Sequence, residues 1–152
     1  FPLKVVGTGS EYRRLTSLAQ GAANVEFLGW RTDEDVRELY RRCRFLVFPG
    51  EEDFGIVPLE TQACGRPVVA YGRGGATETV ADGISGVFFR KQTPDSLNEA
   101  VRRASGIAWN PDAIRQHAER FGPQAFINGL AESIRSIDSP MARISPDPKR
   151  TV

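Results

Sequence analysis

Phe45-Leu46-Val47-Phe48-Pro49-Gly50-Glu51-Glu52-Asp53-Phe54-Gly55-Ile56-Val57-Pro58-Leu59-Glu60-Thr61-Gln62-Ala63-Cys64-Gly65-Arg66-Pro67-Val68-Val69-Ala70 is the stretch that decides the fold. The apolar run Phe45 to Phe48 ends at Pro49-Gly50 and reads as a buried strand. An acidic loop, Glu51-Glu52-Asp53, leads through Phe54-Gly55 into a segment with helical spacing at Ile56, Leu59, Gln62 and Ala63. That segment stops at Gly65, a residue suited to the left-handed position after a helix. Arg66-Pro67 opens a second apolar run, Val68 to Tyr71. Strand, glycine loop, helix and strand make a βαβ unit, which binds ligands at the carboxyl ends of its strands.

Two glutamates flank the turn from loop to helix. Glu52 lies in the loop and Glu60 one turn into the helix, so both can face the mouth of the sheet. Between them the first N–H groups of the helix, around Gly55, Ile56 and Val57, form a positive end suited to phosphate. Gly55 keeps a side chain from holding an anion off that backbone. Pro58 falls in the first turn, where a missing N–H costs nothing. Carboxylates beside an anion site suit a ligand with both hydroxyls and phosphates, such as a ribose or hexose with its diphosphate. The same acids would also serve simply as favourable charges near a helix N-terminus.

Outward from this unit, strands near residues 4–7, 25–29, 45–48, 68–71 and 87–89 alternate with helices. The pattern predicts an α/β fold with a Rossmann-like, doubly wound parallel sheet. The first helix, about residues 10–20, carries Tyr12, Leu15, Leu18 and Ala19 at helical spacing. Thr32 caps the second, with Asp33, Glu34 and Asp35 in its first turn and Val36, Leu39, Tyr40 and Cys43 as the buried stripe. Gly72-Arg73-Gly74-Gly75 turns into a short helix from Ala76 that contains Glu78. Thr93-Pro94-Asp95 and Asn110-Pro111-Asp112 each give a cap, a first-turn proline and an acid. A last helix, Gln124 to Ile137, is expected to bury Phe126, Ile127, Leu130 and Ile134. Residues 1–137 thus read as one domain and 138–152, with three prolines, as a disordered tail.

At 152 residues with 40% hydrophobic and 26% charged content, the chain suits a globular domain with a sizeable core. A net charge of +1 gives no electrostatic case for nucleic acid. No apolar run approaches the roughly 20 residues that span a bilayer, and no leader sequence precedes the first strand. Because Phe1-Pro2-Leu3-Lys4 is already core strand, the sequence reads as a fragment of a longer chain. Cys43 and Cys64 read as buried thiols, which suits a reducing cytoplasm. His117, the single histidine, reads as a helix-surface residue and cannot build a metal site. Gly7-x-Gly9 lacks the third glycine of a dinucleotide fingerprint, since Tyr12 stands there. A P-loop is excluded by the lack of Gly-Lys-Ser/Thr, and no receiver-type acidic cluster with a downstream lysine is present.

Glu52-x-Phe54-Gly55-x-x-x-x-Glu60, followed by Ala63-Cys64-Gly65-x-Pro67-Val68-Val69-Ala70, resembles the signature of retaining glycosyltransferases of family 4 (group 1). The resemblance runs from about Leu3 to Ile137 and implies most of the C-terminal, nucleotide-sugar-binding half of the two-domain GT-B architecture. It implies that Glu60 takes ribose hydroxyls. Glu52 would contact donor-sugar hydroxyls and stabilise positive charge at the anomeric carbon. Phe54, Gly55 and the amides of Ile56 and Val57 would hold diphosphate and sugar. The Gly29-Trp30-Arg31 loop would support the base, although Trp30 equally fits a packing role. Gly74, Gly75 and Glu78 would line the donor cleft, although a tight turn feeding a helix explains the two glycines as well.

The family also uses an Arg and a Lys on a strand and helix expected to precede Phe1, for which Arg13, Arg14 and Arg73 are conceivable stand-ins. Weak donor binding and no transfer by this fragment alone are therefore expected. No Asp-x-Asp motif is present, so neither metal nor other cofactor is expected. By resemblance the whole enzyme would move a hexose from a nucleoside diphosphate to a glycan or lipid-linked acceptor. Its acceptor-binding and membrane-facing surfaces would lie in the absent N-terminal domain, in the cytoplasm or peripherally at the inner face of the plasma membrane. The string is most similar to bacterial and archaeal mannosyltransferases, giving GDP-mannose as the expected donor and a UDP-sugar next. A nucleotide-sugar 2-epimerase of the same fold and a catalytically silent nucleotide-sugar-binding module are the alternatives.

Overall fold

The computed structural model describes residues 1–138. Five strands alternate with helices in the order β1 (Leu3–Val6), α1 (Tyr12–Leu18), β2 (Val25–Gly29), α2 (Asp33–Arg42), β3 (Leu46–Phe48), α3 (Ile56–Ala63), β4 (Val68–Tyr71), α4 (Ala76–Thr79) and β5 (Gly86–Phe89). Three helices follow: α5 (Pro94–Gly106), α6 (Pro111–Glu119) and α7 (Pro123–Asp138). From residue 139 on, the expected tail lies outside the described residues. Every strand pair is parallel, as the alternation of strand and helix requires.

β4 is the centre of the core. Its residues Val68, Val69 and Ala70 are fully buried, which is why this strand is a continuous apolar run rather than an alternating one. Val68 and Ala70 face one way and join Phe48, Ala76 and Val80. Val69 faces the other way, packing with Val87, Phe89 and the helix residues Ala100 and Ala104. Gly86 opens β5 because a β-carbon there would run into the Val68 carbonyl. The predicted caps form: Thr32 accepts from the Asp35 N–H at 3.2 Å, and Asn110 Oδ1 accepts from Asp112 and Ala113 at 2.9 and 3.2 Å.

Several expectations are corrected. The single sheet is divided into a two-stranded part, β1-β2, and a three-stranded part, β3-β4-β5, because β1 and β3 do not pair. The apolar positions of α1 and α7 are not core: Leu18 is 76% exposed and Phe126 70%, with Ile127, Leu130 and Ile134 also exposed. Periodicity gives an apolar face in each, but in α1 it is Tyr12 that packs on the sheet, edge-on against Phe27 with ring centroids 5.7 Å apart, while Leu18 stays exposed. In α3 the buried residues are Pro58, Thr61 and Gln62, whereas Ile56 and Ala63 are exposed, so the helix is rotated from the expected stripe. His117 is half-buried instead of lying on the surface, and Cys43 and Cys64 are only half-buried free thiols.

Candidate functional site

The loop between β3 and α3 and the turn between β4 and α4 meet at the carboxyl ends of their strands. Gly75 N–H donates to the Glu52 carbonyl at 2.7 Å, tying the turn to the acidic loop. A β-carbon on Gly74 would sit 2.5 Å from Glu52 O, and one on Gly75 would collide with Asp53 O and Phe54 Cα. The glycine pair therefore lets two loop backbones touch, a requirement beyond a tight turn. Through it the structure brings Glu52, Phe54, Gly55, Gly74 and Gly75 together, with Glu78 exposed in the first turn of α4.

Gly55 caps α3 in the left-handed region, φ 82° and ψ 71°. A β-carbon there would meet Pro58 and Phe48 at ordinary van der Waals distance. Backbone conformation is thus a sufficient reason for the glycine. Among the described residues no side chain caps this helix. The N–H groups of Ile56 and Val57 find no acceptor among the described residues, and Pro58 contributes none. A positive helix end remains open, with Glu52 and Glu60 both exposed beside it.

Phe54 is held on edge against Phe121, ring centroids 6.3 Å apart, and Phe121 in turn lies 5.7 Å from His117. His117 Nε2 lies 3.2 Å from the Thr79 carbonyl, which also accepts from Gln62 Nε2 at 2.9 Å. Because a carbonyl only accepts, the imidazole carries its proton on Nε2. These bonds lock α4 and α6 onto α3 behind the site.

Sequence reasoning missed Tyr40, which it placed only in a buried stripe. Tyr40 Oη donates to Glu60 Oε2 at 3.1 Å, leaving Oε1 free for another donor. Burial, then the adjacent Glu60 charge, pushes the Tyr40 hydroxyl well above its ordinary pKa, so it stays a neutral donor near pH 7. Burial likewise raises the Cys43 thiol, against a lowering influence from Arg66. Nothing in the spacing of α2 indicates that Tyr40 reaches a residue twenty positions away. That contact depends on how α2 packs on α3.

Gly29, Trp30 and Arg31 lie at the end of β2, in the two-stranded part of the sheet. Gly29 closes β2 at φ 66°, Trp30 and Arg31 follow it, and Arg31 Nη1 donates to the Trp30 carbonyl. Trp30 is 71% exposed among the described residues. The candidate stand-ins Arg13, Arg14 and Arg73 are all exposed, and Arg14 pairs with Glu11. Among the described residues no group of three or more His, Cys, Asp or Glu side chains gathers as metal ligands. No described helix is long and apolar enough to cross a membrane.

Residues 1–105, more than half of the chain, match the family described as glycosyl transferases group 1. The chain belongs to this family. It is 35% identical over 104 residues to an uncharacterised glycosyltransferase of Methanocaldococcus jannaschii, covering 66% of this chain and 30% of that one. It is 34% identical over 145 residues to a D-inositol 3-phosphate glycosyltransferase of Geodermatophilus obscurus, covering 91% and 32%. The chain thus spans about a third of the length of these relatives. Among solved structures, the apo lipopolysaccharide outer core galactosyltransferase WaaB superposes with a TM-score of 0.78 at 18% identity, covering 89% and 40%. Anabaena HepE in complex with UDP gives 0.69 at 26%, covering 89% and 41%. The Rossmann-like parallel α/β fold is therefore that of glycosyltransferase domains.

Proposed function

We propose that this domain binds a nucleoside diphosphate sugar and is the donor-binding half of a two-domain, retaining hexosyltransferase. The observation that carries this reading is the uncapped N-terminus of α3, set between Glu52 and Glu60 and braced by Gly74-Gly75. A diphosphate accepts from the free N–H groups of Ile56 and Val57, which also stabilise the leaving phosphate as charge develops on it. Glu60, fixed by Tyr40, accepts from ribose hydroxyls. In this reading Glu52 meets the sugar carried by the diphosphate and stabilises positive charge at the anomeric carbon. The helix end does the work of neutralising phosphate, so this reading needs no metal or other cofactor. A glycan or lipid-linked acceptor and a second Rossmann-like domain complete the enzyme, which works in the cytoplasm or peripherally at the membrane.

The mannosyltransferase expectation finds no support among the relatives, whose names point to D-inositol 3-phosphate glycosyltransferases. Solved neighbours at 26% and 27% identity hold UDP, and UDP with glucose. This favours a UDP-sugar donor over GDP-mannose. Nothing in the site favours the epimerase reading or a silent module, which would need neither glutamate. An amide-shift titration with UDP, GDP, ADP, UDP-glucose and GDP-mannose tests the proposal. Shifts centred on Gly29–Arg31 and Gly55–Glu60, largest for the UDP compounds, are expected. A folded sample that responds to none of the five would overturn it.

A further inference from the structure

The acidic loop is held from two sides, and one of them lies outside the residues that match the family. His117 belongs to α6 and Phe121 to the turn that closes it, both beyond residue 105. We propose that these two are positioning residues for the donor sugar. His117 orients the Phe121 ring, Phe121 orients Phe54, and the loop that carries Glu52 takes its position from Phe54. This rests on the donor-binding reading above and adds which residues decide how well the sugar, rather than the nucleotide, is held.

On the first side, Gly75 N–H bonds the Glu52 carbonyl at 2.7 Å, and the Gly75 carbonyl accepts from Thr79 N–H and Thr79 Oγ1, both at 3.0 Å. Thr79 is fully buried. On the second side, Phe54 meets Phe121 edge-on at 6.3 Å, Phe121 meets His117 at 5.7 Å, and His117 Nε2 donates to the Thr79 carbonyl at 3.2 Å. Both routes leave the same loop and end on the same buried threonine. The loop is therefore closed into a ring of contacts anchored at Thr79.

His117 is not required to satisfy the Thr79 carbonyl. That oxygen already accepts from the fully buried Gln62, through Nε2 at 2.9 Å, and would not be orphaned without the histidine. What the second bond fixes is the plane of the imidazole, and with it the surface offered to Phe121. The Phe121 backbone is fixed in turn, its N–H bonding the Ala118 carbonyl at 3.0 Å where α6 ends. Phe54 is 46% exposed, and among the described residues Phe121 is the aromatic ring that packs on it. Its side chain takes its direction from that ring.

The effect falls on one part of the ligand. The amides of Ile56 and Val57 and the Glu60 carboxylate belong to α3, which is seated by the buried Pro58, Thr61 and Gln62. Loss of the Phe121 ring frees the loop and leaves this helix in place. Nucleoside diphosphate binding is spared, and the sugar-bearing donor is held less well.

Calorimetry on the full chain with UDP and UDP-glucose tests this in wild type, Phe121→Leu, Phe54→Leu and the double variant. Phe121→Leu keeps an apolar side chain at a half-buried site, so the fold survives it. It should weaken UDP-glucose by about 3- to 10-fold, the strength of one aromatic pair, and UDP by less than about 2-fold. Because Phe121 acts through Phe54, the double variant should bind no worse than Phe54→Leu. His117→Leu should give the same selective loss and add nothing to Phe121→Leu. If His117→Leu does not fold, the Phe121 and Phe54 cycle decides alone. In ligand-free samples the amide shifts of Asp53 and Phe54 should change and those of Thr61 to Ala63 should not. Wild-type affinity in Phe121→Leu, equal losses for the two ligands, or losses that add in the double variant would overturn the proposal. A wild type that binds neither ligand overturns the donor-binding reading itself, and this inference falls with it.

Discussion

Gly75→Ala isolates the contact that assembles the site. Gly75 has φ −59° and ψ −20°, which alanine adopts freely, so the substitution adds no backbone strain. Alanine even gains a few tenths of a kcal/mol by restricting the unfolded chain. The added methyl would nonetheless lie 2.6 Å from the Asp53 carbonyl carbon, 0.4 Å short of the 3.0 Å that β-carbons keep. Its neighbours there are backbone atoms, so the whole Glu52–Phe54 loop must retreat. Overpacking of this kind costs about 1–3 kcal/mol, and the lower end applies because the loop is exposed. Urea denaturation should show a loss of about 1 kcal/mol. Titration should show donor affinity reduced about 10-fold or more, because Glu52 and Phe54 move with the loop. Amide shifts of Glu51–Phe54 should change even without ligand. Wild-type stability, affinity and loop shifts together would refute the argument that this glycine is a spacer between loops.

Other perturbations probe the remaining groups. Glu60→Ala should weaken nucleoside diphosphate binding by about 1–3 kcal/mol, read by calorimetry, the loss expected for charge-assisted bonds to hydroxyls. Glu52→Ala should leave nucleoside diphosphate binding intact and impair the sugar-bearing donor, and equal losses for both ligands would remove its assignment to the sugar. Gly55→Ala should destabilise the domain by about 1–2 kcal/mol, since φ 82° is unfavourable for alanine although space is available. A thermal scan checks it. Tyr40→Phe should lower nucleotide affinity by about 3- to 10-fold, by freeing the Glu60 carboxylate from its hydrogen bond. Tyr40 and Cys43 are both raised above their ordinary values of 10.0 and 9.0. Their contribution to stability is full below those values and lost as pH rises through the folded ones. Stability of the wild type should therefore begin to fall near pH 9, and Tyr40→Phe should flatten the decline above pH 10, followed by urea midpoints against pH.

By itself the sequence determined the local architecture. Apolar runs bounded by Pro and Gly placed β3 and β4. The capping residues Thr32, Thr93 and Asn110 placed helix starts, and Glu52, Gly55 and Glu60 marked the strand-to-helix turn that follows β3. These signals are local because each depends on residues within one or two turns of chain. Tertiary structure decided which apolar faces are covered. Leu18 and Phe126 have the same periodicity as Ala100 and Ala104, yet only the latter pair meets a sheet. It also decided that Tyr40 serves Glu60, that Gly74-Gly75 is a spacer between loops, and that β1 and β3 stand unpaired. Those facts depend on the approach of segments distant in sequence, and no short-range pattern records the distance between two backbones.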